Sequence, residues 1–207
     1  MRQLVDAGNV APEEGARLLV AMGRGRPRSL ARMLIDPFER FGGGKAALAG
    51  VLIAAACIGV SRFGVRFDGF FDMHVGRTAP SLTVALVDQL VSWPLPAALF
   101  FLYARAFSRH VRLLDFVGMV GLARLPVLLG ALVIGLILRD TAIDPFKMTP
   151  GLLLVMAFGL VFLGLQITLL YTGFKNASGF TGARLVGGFI GMCIAAEVAS
   201  KLALLAL

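Results

Sequence analysis

Four ionisable residues stand inside long apolar runs of this chain: Asp88, Arg124, Glu197 and Lys201. A charge near the middle of a bilayer costs about 2.5–3.5 kcal/mol on insertion scales, so such side chains are expected to pair or to serve a function. Counted along the apolar runs at about 1.5 Å per residue, Arg124 and Glu197 lie at one depth. Asp88 and Lys201 lie at another. We therefore predict two ion pairs, Arg124–Glu197 and Asp88–Lys201.

Such an intramembrane charged cluster suits two kinds of chemistry. Glu197 and Lys201 are four residues apart and would face the same side of a helix, so the four residues can form one neutral cluster. It would be either a structural staple that fixes the register of the helices, or a polar site for an ion, a lipid headgroup or a proton relay. The sequence leaves both interpretations open.

A loop before the second apolar run offers another set of candidate ligands, Asp68, Asp72 and His74. Two carboxylates and one imidazole are a small set for a hard metal ion. We therefore predict a turn stabilised by side-chain capping, with no metal and no other cofactor. The chain carries no Ser/His/Asp set, no His-Glu-x-x-His helix and no Gly-rich phosphate loop. We predict no catalytic residues and no enzymatic activity.

The elements that must position these residues are five apolar runs, each about long enough to cross a bilayer as a helix. Hydrophobic residues make up 58% of the chain and charged residues 15%, against about 25% charged in soluble domains. The predicted fold is therefore an all-α integral membrane protein. Its two cysteines, Cys57 and Cys193, lie within the runs and are expected to be buried thiols. The predicted spans are 46–61, 82–104, 113–138, 149–174 and 184–207.

Proline and glycine mark irregular positions within these spans. Pro94 and Pro96 in the second span and Pro126 in the third remove backbone hydrogen bonds and should kink their helices. In the fifth span, small residues should permit close helix packing. These residues are Gly187, Gly188 and Gly191.

The residues before the first span divide into two predicted parts. Residues 1–24 read as a short cytoplasmic helical hairpin and resemble a bacterial segment that serves in adaptors or in self-association. Residues 25–44 read as a basic linker followed by an interfacial helix, and residues 45–207 as the membrane domain. The hairpin would bind a protein partner or itself, or would be a lead-in with no partner. The linker arginines would contact anionic lipid of the inner leaflet.

The distribution of basic residues predicts the orientation. Thirteen Lys and Arg residues fall on the side of the N-terminus and five on the other side. This bias places the N-terminus in the cytoplasm and, after five spans, the C-terminus outside. The net charge of +8 could suggest nucleic acid, but the basic residues lie mainly in short segments between spans. We therefore expect membrane lipids and no nucleic acid as partners.

Two stretches carry a resemblance to a known family. FVGMVGLARLPVLLGAL at 116–132 and LYTGFKNASGFTGAR at 170–184 resemble bacterial members of the Yip family, named for Ypt/Rab-interacting membrane proteins. DPFERF at 36–41 and FDGFFDMH at 67–74 resemble a bacterial subgroup. The resemblance implies a multi-span protein of the bacterial inner membrane. It supplies no catalytic residues, and the acidic motif with which eukaryotic members bind small GTPases is absent here.

The function expected from these features is non-enzymatic. The first hypothesis is a scaffold, an adaptor or an accessory subunit of a membrane complex. The alternative is a small transporter, channel or lipid-handling protein that uses the charged cluster. A water-accessible cavity reaching Arg124 would favour the alternative, and a closed cluster would favour the scaffold.

Overall fold

The computed structural model describes residues 35–39, 41–76, 78–138 and 149–206. The predicted helical hairpin of residues 1–24, and residues 25–34 with the basic linker and the start of the predicted interfacial helix, lie outside the described residues. Of the predicted interfacial helix, a 3₁₀ turn at Pro37–Glu39 is described. The helices are α1 (Gly43–Ser61), α2 (Leu82–Ser92), α3 (Pro94–Phe107), α4 (Leu113–Ala123), α5 (Leu125–Leu138), α6 (Pro150–Ser178) and α7 (Gly182–Leu205).

The predicted number of spans, five, is confirmed. Five helical segments are long and apolar enough to cross a membrane: α1, α2 with α3, α4 with α5, α6 and α7. Many large apolar side chains remain exposed on these helices, as contact with lipid requires. We call the end of the bundle at Ser61, Leu82 and Leu205 the hairpin end, after the β-hairpin that joins α1 to α2 there. We call the opposite end, at Gly43 and Phe107, the entry end.

Two of the spans are broken where a proline removes a backbone donor. The second span breaks at Trp93, between α2 and α3, next to Pro94 and Pro96. The third breaks at Arg124, between α4 and α5, two residues before Pro126. Trp93 donates its indole N–H to the Val117 carbonyl over 2.9 Å, which ties the first break to α4.

Glycines bring α1 and α4 into backbone contact. A Cβ built on Gly121 would lie 2.7 Å from the Gly50 Cα, and one built on Gly118 would lie 2.7 Å from the Ala46 Cβ. Small residues permit this approach, because no side chain separates the two backbones. The predicted packing glycines of the fifth span behave differently from one another. Gly188 lies against Tyr103, whereas a Cβ on Gly187 or Gly191 would meet open space.

Aromatic side chains fill the core between α3, α4, α6 and α7. Phe174 lies 5.3 Å from Phe100 and 6.4 Å from Phe116 between ring centroids, in edge-to-face geometry. Such offset contacts add about 0.5–1.5 kcal/mol beyond the area they bury. A second apolar cluster, nearer the hairpin end, joins α1 to α5 through Ile53, Cys57 and Ala131. The two clusters together form the described apolar core of the bundle.

Candidate functional site: a re-entrant hairpin and a buried arginine

The loop between α1 and α2 folds into a small β-hairpin. Strand β1 (Val65–Arg66) pairs antiparallel with β2 (His74–Val75), with Arg66 opposite His74. The connecting residues 67–73 form the tip. Phe67 and Phe70 of the tip are buried, and the Phe70 ring lies 6.2 Å from that of Phe100 in α3. The apolar tip therefore enters the helix bundle instead of lying across its surface, so we call residues 65–75 the re-entrant hairpin.

Side chains of α6 and α7 satisfy the backbone of the tip. The Phe70 amide donates to Ser200 Oγ over 3.2 Å, and the Phe71 amide donates to Glu197 Oε2 over 2.9 Å. Gln166 Nε2 donates to the Phe70 carbonyl over 3.3 Å. Non-helical backbone is tolerated at membrane depth only where it is buried in protein or lines a water-filled cavity. These three polar side chains therefore make the insertion of the tip possible.

Lys201 holds the acidic residues of the hairpin. Its ammonium lies 2.5 Å from Asp72 Oδ2 and 3.8 Å from Asp68 Oδ2. His74 Nδ1 lies 2.8 Å from Asp68 Oδ1. Burial alone would raise the pKa of Asp72, but the hydrogen bond from Lys201 and the charges of His74 and Lys201 outweigh it and hold that pKa below its usual value.

The predicted ligand set of the loop does come together in the structure. One ligand atom from each of Asp68, Asp72 and His74 lies within 4.8 Å of the other two. The three groups could hold a cation, and the Lys201 ammonium already contacts both carboxylates. The absence of a metal stays a prediction.

A bidentate ion pair fixes the base of the hairpin. Arg66 donates from Nε to Asp88 Oδ2 over 3.0 Å and from Nη2 to Asp88 Oδ1 over 3.2 Å. Asp88 is 1% exposed within α2. The hydrogen bond to this carboxylate raises the pKa of Arg66 above its ordinary value. Paired N–H···O bonds of this kind are strong and set the orientation of both groups.

Arg124 lies at the break between α4 and α5 and reaches across to the break in the second span. It is 3% exposed. Its Nη1 donates to the Ser92 carbonyl over 2.8 Å and to Ser92 Oγ over 2.7 Å, and its Nη2 donates to Gln89 Oε1 over 2.9 Å. In a regular helix the amide of residue 96 would donate to the Ser92 carbonyl, but Pro96 has no N–H. The guanidinium therefore replaces the missing backbone donor.

The two predicted ion pairs are wrong. In the part of the chain that the structure describes, no ion pair joins Arg124 to Glu197 or Asp88 to Lys201. Asp88, Glu197 and Lys201 bind the hairpin, and Arg124 binds α2. Depth along a helix can be counted from sequence, but the direction in which a side chain points cannot. The hairpin, which the prediction did not include, supplies the partners of Asp88, Glu197 and Lys201, and α2 supplies those of Arg124.

Sequence reasoning missed several residues of this arrangement. Arg66 binds Asp88, and Gln89 and Ser92 bind Arg124. Gln166 and Ser200 bind the tip of the re-entrant hairpin. One signal was present, because Ser92 stands four residues before Pro96 and its carbonyl needs another donor. A second was the excess of apolar residues in FDGFFDM, which is unusual for a loop exposed to water.

Two described cavities lie at the ends of the bundle. One of about 170 Å³ at the entry end is lined by Phe38, Phe41 and Asp115 among others. One of about 350 Å³ at the hairpin end is lined by Arg66, His74 and Thr78 among others. Neither is lined by Arg124.

Comparison with protein-family models gives one match, the Yip1 domain, over residues 27–200. This match spans most of the chain. The protein belongs to the Yip1 domain family. The expected membership of the Yip family is thereby confirmed, and the Yip1 domain is a multi-pass membrane unit here. It contains the re-entrant hairpin, Asp88, Arg124 and Glu197, but it ends one residue before Lys201 and begins after residues 1–24. Searches of curated proteins and of solved structures gave no match.

Proposed function

We propose that this Yip1 domain protein is a non-enzymatic scaffold, adaptor or accessory subunit of a membrane complex. The observation that carries the proposal is the closed environment of Arg124. Its guanidinium is 3% exposed and is bonded to Ser92 and Gln89, and neither described cavity reaches it. The other intramembrane charges bind the re-entrant hairpin. Polar groups of the spans thus hold the fold together and leave the surface for partners.

The proposed arrangement is that of a protein of the bacterial inner membrane with its N-terminus in the cytoplasm. Residues 1–24 would then bind a partner protein or a second copy of the chain. The basic linker would lie against anionic lipid, which attracts Lys and Arg near the membrane surface. The thirteen basic residues on the N-terminal side support this orientation.

One observation favours the alternative of a small transporter, channel or lipid-handling protein. Among the described residues, Arg124 Nε and Gln89 Nε2 are buried donors that have no partner. Unpartnered donors at mid-membrane could bind a water molecule or an anion that enters the bundle. The alternative requires that Arg124 become accessible from water.

Thiol accessibility separates the two functions. Cys57 is 1% exposed and lies next to Arg124. In native membranes that carry the Cys193→Ser variant, we expect no labelling of Cys57 by a membrane-impermeant methanethiosulfonate reagent. Thr78→Cys in the same background is the positive control, because Thr78 is exposed at the hairpin end. Labelling of Cys57 from either side of the membrane would overturn the scaffold proposal and favour the transporter.

A second experiment tests the partner directly. The full chain and a variant that lacks residues 1–24 are cross-linked in native membranes, and their complexes are sized by native electrophoresis. We expect a larger complex for the full chain and loss of that complex for the truncated chain. The thermal stability of both purified proteins is the control for folding. Identical migration of both chains at the size of one copy would contradict the adaptor role.

A further inference from the structure

The cavity at the hairpin end is open and basic. It lies between the re-entrant hairpin and the segment that leads into α2, and its lining includes Gly64, Arg66, His74, Gly76 and Thr78. Its volume is about 350 Å³. None of its described lining residues is acidic. Val84 in the first turn of α2 also lines it, so the cavity lies at the level where a span begins.

Arg66 presents one edge of its guanidinium to this cavity. Its Nε and Nη2 donate to Asp88, which lies behind it in α2 and is 1% exposed. The side chain of Arg66 is nevertheless 44% exposed. Asp88 therefore fixes the plane of the guanidinium and leaves Nη1 for another acceptor. The guanidinium held in this way can donate from Nη1 to an oxygen of a phosphate or a carboxylate.

His74 completes the basic wall. It pairs with Arg66 across the two strands, and residues directly opposite in an antiparallel pair put their side chains on the same face. Its Nδ1 contacts Asp68 over 2.8 Å, which orients the ring, and its side chain is 62% exposed. The other ring nitrogen, Nε2, is therefore the one that can reach a ligand. Two oriented basic side chains thus stand over one cavity.

We propose that this cavity binds a phosphate group, carried either by a phospholipid headgroup or by a free phosphate. Arg66 Nη1 and His74 Nε2 would donate to the phosphate oxygens. The N-terminus of α2 adds the positive end of a helix dipole at the same level. Three carboxylates reduce the net charge around the site, but each is already bound: Asp68 to His74, Asp72 to Lys201 and Asp88 to Arg66. The proposal is independent of the scaffold function.

Native mass spectrometry of the full chain tests the proposal with two variants and a control. The protein is delipidated and then exposed to phosphatidylglycerol, to diacylglycerol or to inorganic phosphate. Arg66→Lys keeps the positive charge opposite Asp88 but has no second nitrogen that could donate to a phosphate at the same time, and His74→Gln keeps a donor for Asp68. Arg62→Gln removes a charge near the same end from an exposed residue that does not line the cavity. Thermal melts confirm that each variant folds.

We expect the wild-type protein to retain phosphatidylglycerol or inorganic phosphate, and to retain diacylglycerol at least about tenfold less, since diacylglycerol has no phosphate to accept charge-assisted hydrogen bonds. Binding of phosphatidylglycerol alone identifies a lipid headgroup, and binding of inorganic phosphate identifies a free phosphate. Arg66→Lys and His74→Gln should each weaken the bound species about tenfold, with Arg62→Gln unchanged. Equal retention of diacylglycerol, or an equal loss in Arg62→Gln, would overturn the proposal.

Discussion

Arg124 compensates for a backbone donor that proline removes. In a lipid environment an unsatisfied carbonyl costs several kcal/mol, because no water is present to bind it. The Ser92 carbonyl would be in that state, since Pro96 carries no N–H, and the Arg124 guanidinium binds it over 2.8 Å. A charged side chain is an expensive donor at this depth. It can however reach both the carbonyl and the Ser92 hydroxyl from another helix, which a backbone amide cannot.

A double-mutant cycle between Arg124 and Pro96 tests this role. Arg124→Met should destabilise the protein by about 1–3 kcal/mol, because it leaves the Ser92 carbonyl without a donor. In the Pro96→Ala background the restored amide can bind that carbonyl. The same Arg124→Met change should then cost about 1 kcal/mol less. Unfolding in mixed detergent micelles measures all four free energies.

The control for that cycle is Glu197. Arg124 and Glu197 bind different elements, so Arg124→Met and Glu197→Leu should be additive. Coupling between Arg124 and Glu197, together with additivity between Arg124 and Pro96, would contradict the role assigned to the guanidinium.

Asp72 should make the re-entrant hairpin sensitive to acid. Its pKa in the folded protein is held below the ordinary value of 3.8. The carboxylate therefore stabilises the fold at every pH above the unfolded pKa, and this contribution is lost as the pH falls through the folded pKa. We expect smaller protection factors, meaning less slowing of hydrogen exchange relative to an unfolded chain at the same pH, for the Phe70 and Phe71 amides below about pH 4. Asp72→Asn should show the smaller protection factors already at neutral pH and a weaker dependence on acid.

The matched control for this measurement is Asp115→Asn at the entry end of the bundle. Asp115 lies at the start of α4 and lines the other cavity. The Asp115→Asn substitution should leave the hydrogen exchange of the Phe70 and Phe71 amides the same as in the wild-type protein. Equal acid sensitivity in the wild type and in Asp72→Asn would show that another group controls the hairpin.

At the scale of elements, the crossing of α1 and α4 depends on two glycines that face each other. Gly121→Ala would bring its Cβ to 2.7 Å from the Gly50 Cα, and a backbone atom cannot move aside as a side chain can. We expect a loss of about 1–3 kcal/mol, the usual cost of overpacking. Gly187→Ala is the control, because open space surrounds Gly187. A smaller loss for Gly121→Ala than for Gly187→Ala would contradict this helix contact.

The spans could be predicted from sequence, and the contacts between them could not. Hydropathy is a local property, so each of the five runs marks its own helix. The insertion of residues 67–73 depends on Gln166, Glu197 and Ser200, which stand about a hundred residues or more along the chain. The face that a helix packs against its neighbours cannot be predicted from the sequence either. Gly187 and Gly188 are adjacent in sequence, but only Gly188 meets a neighbouring helix.

For the whole molecule, the prediction is an N-terminus in the cytoplasm and a C-terminus outside. Basic residues in short loops favour the cytoplasmic side, and thirteen lie on the side of the N-terminus against five on the other. A reporter active only outside the cytoplasm should be active when fused after Leu207 and inactive when inserted within residues 105–112. The reverse result at both positions would invert the orientation, and the cavity lined by Arg66 would then face the cytoplasm.

The re-entrant hairpin also imposes an order of assembly. Phe70 is made early, but Ser200, which binds its amide, follows 130 residues later. At roughly 5–20 residues per second the tip waits about 6–26 s for its partner. During that time the tip carries the apolar side chains of Phe67, Phe70 and Phe71, and its backbone lacks the partners that α6 and α7 later supply. Docking of the hairpin must therefore follow the synthesis of α7, and a chain that ends before α7 should be a substrate for membrane proteases.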